Sequence, residues 1–380
     1  MEKAYLVLEN GQVFEGLSFG AKPSGVGELV FTTGVVGYLE TLTDPGYDGQ
    51  IVVQTFPLIG NYGVIDEDIG GKKCFLKGYV VREWCDTPSN FRCDYSIDKF
   101  LKEQNIPGIY GVDTREITKT IRENGVMNAA ICSQIPEDLS FIKEYKITGC
   151  VKAATCEGVT SYSAIGEERY KTVVLDLGAT YDIADHLTNR GCSVTVVPAD
   201  TSAESILALD PDGVVLSNGG GDPLDNGEIV EEIKKLIVKT PILGIGLGHQ
   251  LLALANGGKC GKLKYGHRGG NQPVKDVNGV RSYMTSQNHG YVVTDVADGK
   301  LTFVNLNDNS CEGVEYPEKK AMSVQFIPEK FKGPHDTSFI YDKFISLNCS
   351  EGEICTSCVK CYDGTIVIAI HNNIEVLCGL

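Results

Sequence analysis

The chain of 380 residues has room for two domains, at about 100–200 residues each. Its 50 acidic and 34 basic residues give a formal charge of −16, which argues against the basic face that binds nucleic acid by displacing phosphate counterions. No apolar run reaches the roughly 18–20 residues that cross a bilayer. The start, Met1-Glu2-Lys3-Ala4-Tyr5, lacks the basic-then-apolar order of a secretory signal. A cytoplasmic location is expected, with no membrane and no nucleic-acid partner.

Residues 1–148 read as a β-rich α/β domain. Tyr5–Glu9 is an apolar run, Gly11-Gln12 a turn and Val13–Gly16 the return, which predicts a hairpin. Gly27–Thr33 and Gln50–Thr55 predict further strands, and Ser96–Gln104 and Thr114–Glu123 have helical spacing. In the second of these, Thr114 stands as the expected N-cap before a stripe of Ile117 and Ile121. Residues 149–170 lose their period and become rich in Thr, Ser and Gly, as a linker does.

From 171 to 347 strands and helices alternate. Thr172–Asp176, Ser193–Pro198, Gly213–Ser217 and Pro241–Ile245 are apolar strands. Ile183–Arg190, Ser202–Leu209, Gly227–Val238 and His249–Asn256 are the helices between and after them. That alternation predicts a mostly parallel sheet flanked by helices, whose site lies at the carboxyl ends of its strands. Residues 348–380 form a tail with Cys349, Cys355, Cys358 and Cys361. The C-x-x-C spacings suit zinc or an iron–sulfur cluster, and equally suit free thiols in a reducing cytosol.

Two glycine-rich turns fall at strand ends. The first is Ser217-Asn218-Gly219-Gly220-Gly221-Asp222-Pro223. The second, Gly246-Leu247-Gly248, joins a strand directly to a helix, which is the geometry of a nucleophile elbow. The N–H after the elbow residue opens a helix and is suited to stabilise an oxyanion.

Together these turns resemble a class I glutamine amidotransferase domain. Gly27–Phe31, Gly37–Glu40, Leu42–Pro45, Gly49–Val52, Ile59–Asn61, Gly111–Arg115, Tyr265–Val274, Ser286–Tyr291 and Gly333–Asp336 are similar to motifs of the carbamoyl-phosphate synthase small subunit, so the resemblance spans about residues 4–347. It implies a subunit that binds L-glutamine and passes ammonia to a large synthetase subunit. It implies no cofactor in this chain, because ATP would bind that partner.

The resemblance also implies a cysteine nucleophile, a histidine base and a glutamate that orients it. Here Gly246 stands at the nucleophile position. In Gln325-Phe326-Ile327-Pro328-Glu329 the base position holds Ile327, and Glu329 alone is retained. Glycine offers no nucleophile and isoleucine accepts no proton. Cys260, His249 and His289 lie away from the turn and are not expected to substitute. By the same resemblance glutamine would be surrounded by Gly46, Gly219, Gly221, Leu247, Gln250, Asn288, Gly290 and Tyr291. Gly46 replaces a serine and Gly220 a proline of the family pattern. The expected protein is therefore a small-subunit relative without glutaminase activity, a structural or regulatory partner of an ammonia-using synthetase. The alternatives are a glutamine-sensing module without a synthetase, or an active glutaminase supplying ammonia.

Overall fold

The computed structural model describes residues 2–69, 73–179, 182–328, 335–347, 360–362, 365–370 and 373–377, with only the backbone given for the last three segments. Glu329, Cys349, Cys355 and Cys358 lie outside the described residues.

The N-terminal part is built on seven strands: β1 (Lys3–Leu8), β2 (Val13–Gly20), β3 (Ser24–Thr32), β4 (Gln50–Gln54), β5 (Gly78–Val80), β6 (Pro107–Tyr110) and β7 (Met127–Cys132). They close into a barrel in the order β1-β2-β6-β5-β4-β3-β7. The expected hairpin is β1–β2, in register from Lys3↔Leu17 to Val7↔Val13. Alternation along the strands feeds two cores. Leu29, Ile51 and Val53 pack with Ile117 and Ile121, while Val30, Val52 and Tyr79 pack with Leu39, Leu42, Ile97 and Phe100.

The longer helices against this barrel are α1 (Tyr38–Thr43), α2 (Ile97–Glu103) and α3 (Thr114–Asn124). The cap of α3 is Asp113 and not Thr114: its Oδ1 accepts from the Arg115 and Glu116 N–H groups at 3.0 Å each. A carboxylate one residue earlier satisfies two of the helix's open donors and also favours the positive end of its dipole.

The second part is a ten-stranded sheet. Its strands are β8 (Thr160–Tyr162), β9 (Tyr170–Asp176), β10 (Cys192–Pro198), β11 (Gly213–Leu216), β12 (Ile242–Ile245), β13 (Lys259–Asp276), β14 (Ser282–Asp295), β15 (Lys300–Asn305), β16 (Cys311–Tyr316) and β17 (Ala321–Val324). The order is β8-β10-β9-β11-β12-β17-β16-β15-β13-β14. Pairings from β10 through β17 are parallel, and the flank from β17 to β14 is antiparallel. Thr160–Tyr162, inside the expected linker, is an edge strand antiparallel to β10.

Helices cover both faces of the parallel centre. Val173, Leu175, Val214, Leu216 and Ile242 meet α5 (Ala203–Leu207), α6 (Gly227–Ile237) and α7 (Leu247–Ala255). Val174, Val215, Leu243 and Ile245 meet α4 (Asp182–Thr188) and α8 (Phe339–Ser346). These apolar runs are buried on both sides, which is why they show no alternation. The molecule is thus the two-part α/β architecture expected. In the tail, Lys360–Tyr362, Thr365–Ile370 and Asn373–Leu377 form a separate antiparallel three-stranded sheet, and Cys361 sits on its first strand.

Candidate functional site

The β12–α7 junction turns at Gly246, which has φ 58° and ψ −111°. Such dihedrals are costly for a residue with a Cβ and free for glycine. The turn is held from outside: the Gly246 N–H donates to Val324 O at 2.9 Å and the Gly248 N–H to Ser217 O at 3.1 Å. A Cβ on Gly246 would lie 3.1 Å from Asn218 Cβ and meet no closer atom. A side chain at the elbow would thus need Asn218 to give by a few tenths of an ångström, and would carry the strain of the positive φ. Leu247 opens α7, so its N–H is among the donors that a helix leaves without an intrahelical partner.

Gly246 opens into a cavity of about 440 Å³ between the barrel and the sheet. Its wall includes Gly46, Gly219, Gly221, Leu247, Gln250, Asn288, Gly290, Tyr291 and Ile327, so every expected glutamine-surrounding residue and both altered catalytic positions come together. Gly46 and Asn288 are coupled. A Cβ on Gly46 would stand 2.6 Å from Asn288 Nδ2, and that amide donates to Asp44 Oδ2 at 2.9 Å. Asn288 thus occupies the room a serine would need. Gly220 backs onto the same loop, where a Cβ would come 2.8 Å from Pro45 O.

Gln250 is buried, and its Nε2 donates to Tyr291 O at 2.8 Å and to Gln325 Oε1 at 2.9 Å. Both donors of its amide are engaged within the protein. Three other polar atoms of cavity-lining residues, Gln325 Nε2, Asn288 Oδ1 and Gln50 Oε1, are buried without a hydrogen-bond partner among the described residues. Each such atom costs about 1–3 kcal/mol while it lacks one. Their identities follow from their neighbours: Gln325 Oε1 faces the Gln250 donor, and Asn288 Nδ2 faces a carboxylate. The wall presents an open donor in Gln325 and open acceptors in Asn288 and Gln50.

Ile327, at the expected base position, is held to the neighbouring strand, its N–H donating to Ser286 O at 2.9 Å. Its half-buried side chain lines this cavity and a neighbouring one of about 230 Å³. Three other residues were candidates to stand in at the site. His249 is fully buried, with Nδ1 2.8 Å from Ser323 Oγ. Burial lowers its pKa to about 3, which keeps it neutral, and it is not among the residues lining the cavity. Cys260 lies on β13 with its Sγ 3.7 Å from Gln250 O, and burial pushes its thiol up to about 12. His289 does line the cavity, but its rings atoms are engaged with Tyr291 O and Gln287 Oε1, at 2.8 and 3.0 Å.

The barrel also contributes residues that sequence reasoning did not assign to the site. Glu28, Asp44 and Gln50 line the cavity together with Lys262 of β13. Lys262 pairs with Glu28 across the two parts, and Arg268 is buried beside Asp44 and Glu28. Glu28 and Asp44 stand in motifs already singled out in the chain. Only folding, which brings Asp44 to Asn288 across 244 positions, gives them a place.

A strand-to-helix elbow at the carboxyl edge of a parallel sheet, facing a glycine-rich loop, defines a class I glutamine amidotransferase scaffold. Residues 173–347 match the family described as "Glutamine amidotransferase class-I", and residues 6–131 match "Carbamoyl-phosphate synthase small chain, CPSase domain". Full-length similarity agrees. The chain is 47% identical over 352 residues to a carbamoyl phosphate synthase small chain of Fusobacterium nucleatum, covering 91% of this chain and 98% of that one. It is 46% identical over 347 residues to that of Clostridium perfringens (90% and 99% covered). It is 44% identical over 352 residues to that of Oceanobacillus iheyensis (91% and 96%). The chain belongs to the carbamoyl-phosphate synthase small chain family.

Proposed function

We propose that this chain is a small subunit that has lost glutamine hydrolysis, keeps an amide-recognising cavity, and serves as a structural or regulatory partner of a large synthetase subunit. The observation that carries this reading is the elbow at Gly246, whose position offers no nucleophile. Ile327 at the base position adds to it, because a hydrocarbon accepts no proton. Glutamine would lie among Gly46, Gly219, Gly221, Leu247, Gln250, Asn288, Gly290 and Tyr291, and the open Gln325 donor and Asn288 acceptor support retained binding. Nitrogen would then enter the partner, which holds ATP, as free ammonia.

A second reading has its own support. Near-complete similarity to proteins named as carbamoyl phosphate synthase small chains favours a subunit that releases ammonia from glutamine. That reading requires a nucleophile brought from elsewhere. The two are separated by purifying the chain with a large synthetase subunit and measuring carbamoyl phosphate formation. Synthesis with ammonium chloride and none with glutamine is expected. Equal synthesis with glutamine selects the second reading, and failure of the subunits to associate removes the partner role. If association fails, calorimetric binding of glutamine that is lost in Asn288→Ala points to a free-standing glutamine sensor.

A further inference from the structure

Beside the cavity, three residues that the hydrolytic site does not require come together from three strands: His267 of β13, His289 of β14 and Glu312 of β16. They are 6%, 9% and 0% exposed. One ligand-capable atom from each lies within 4.8 Å of the others.

Their outer partners fix which ring nitrogens carry hydrogen. His267 Nε2 is 2.9 Å from Asp308 Oδ2, and His289 Nδ1 is 2.8 Å from Tyr291 O. A carboxylate and a backbone carbonyl only accept, so those nitrogens donate. A neutral imidazole has one N–H, which leaves His267 Nδ1 and His289 Nε2 as lone pairs. Both face Gln287 Oε1, at 3.1 and 3.0 Å, and His267 Nδ1 also faces Glu312 Oε1 at 3.5 Å. The Gln287 amide is oriented too. The Thr285 hydroxyl donates to Gln272 O at 2.9 Å, so its oxygen accepts from Gln287 Nε2 at 3.1 Å, which turns Oε1 toward the rings. Asn305 Nδ2 donates to Glu312 Oε1 at 3.0 Å, whereas Glu312 Oε2 is buried with no hydrogen-bond partner. Asn305 Nδ2 also lies 3.3 Å from His267 Nδ1, but the lone pairs of His289 Nε2 and Gln287 Oε1 still face each other and Glu312 Oε2 has no partner among the described residues; buried lone pairs so arranged are costly unless a positive charge sits among them.

We propose that His267 Nδ1, His289 Nε2 and the Glu312 carboxylate bind one divalent metal ion of the zinc class, with Gln287 Oε1 as the fourth donor. Imidazole and carboxylate ligands suit zinc. Histidines that pass their other N–H to a carboxylate or backbone carbonyl have the outer partners of metal-bound histidines. Three of the six donor–donor separations, 3.0, 3.1 and 3.5 Å, are near the roughly 3.3 Å that tetrahedral bonds of about 2.0–2.1 Å imply, and the histidine and glutamate ligand atoms all lie within 4.8 Å of one another. The ion ties β13, β14 and β16 together, and so fixes Asn288, Gly290 and Tyr291 on the cavity wall. Its role is positional, and it takes no part in hydrolysis.

The test is metal analysis of the full-length chain, purified without an affinity tag, supplied with zinc and dialysed against zinc-free buffer. About one zinc per chain is expected. The same amount is expected when Cys349, Cys355, Cys358 and Cys361 are all replaced by serine, and at most a tenth of it in Glu312→Gln. Cobalt(II) exchanged into the unaltered protein keeps the test decisive if that variant does not fold: tetrahedral visible bands without thiolate charge transfer are expected. No retained metal would mean that a proton supplies the positive charge, and overturns the proposal. Zinc lost with the tail cysteines, or a thiolate band, overturns it as well.

Discussion

Gly46 and Gly246, two glycines at positions where a side chain was expected, differ in what surrounds them. At Gly246 the elbow holds φ 58°, and a restored Cβ would approach Asn218 Cβ at 3.1 Å. At Gly46 the space is taken, with Asn288 Nδ2 2.6 Å from the Cβ position and bonded to Asp44. The difference lies in what sets each conformation. The elbow is fixed by β12, by α7 and by backbone bonds to Val324 and Ser217, so it does not depend on the residue it presents. The Asp44–Gly46 contact is set by flexible side chains, which take up whatever room is left.

The largest effect expected from this contrast is recovery of chemistry. Gly246→Cys with Ile327→His places a thiol and an imidazole on a scaffold that keeps its geometry, and glutamine-dependent ammonia release should rise from background. In a comparable triad, loss of the nucleophile costs about 10⁶ in turnover, so several orders of magnitude are open. A silent double variant that folds and binds glutamine would show that the elbow is not preserved in the sense argued here.

Next in size is a break of the elbow itself. A Cβ on Gly248 would collide with the Leu216 carbonyl and come 2.7 Å from Leu216 C. Gly248→Ala should lower unfolding free energy by about 3 kcal/mol, the upper end for overpacking, read from the urea midpoint. A neutral result would mean that α7 shifts freely, and the contrast between the loops would fade.

Buried His249 adds a pH dependence to the packing under the elbow. Its folded pKa is lowered by burial from 6.5 to about 3. Below pH 6.5 the unfolded chain takes up a proton that the folded one refuses, so stability falls with decreasing pH until the folded pKa is reached. The slope is about 1.4 kcal/mol per pH unit, or about 2 kcal/mol between pH 6.5 and 5. His249→Gln should flatten the profile of urea midpoints over that range. An unchanged profile would mean that His249 is not the group responsible.

The smallest effect is expected at the other loop. In Gly46→Ser the side chain displaces the Asn288 amide from Asp44, and Asn288 can turn back toward the cavity. One recovered hydrogen bond is worth about 0.5–1.5 kcal/mol, which calorimetry would read as roughly two- to tenfold tighter glutamine binding. Weaker binding would mean that the Asn288–Asp44 bond belongs to the working cavity.

The parallel centre of the second sheet was legible because its strands are short apolar runs between glycines, and the helices between them carry clear stripes. Ser202 and Ser96 also start their helices as their side chains suggest, accepting from Ser205 and Lys99 N–H. The closed barrel was not legible, because its closure depends on pairings such as Leu6↔Ile131, set by contacts far apart in the chain. The long ribbon of Lys259–Asp276 with Ser282–Asp295 escaped for a related reason. Its register shifts and its buried Gln, Arg and His residues blur the two-residue alternation. At the site, the identities of Gly246 and Ile327 were plain in the sequence. The coupling of Gly46 to Asn288 required the fold.

The most direct measurement is ammonia release from glutamine by the purified, unaltered chain, with and without a thiol-alkylating reagent. The present account expects release at background in both cases. Release above background that alkylation abolishes would contradict it, because a working sulfur would then have reached a site whose own turn presents only hydrogen.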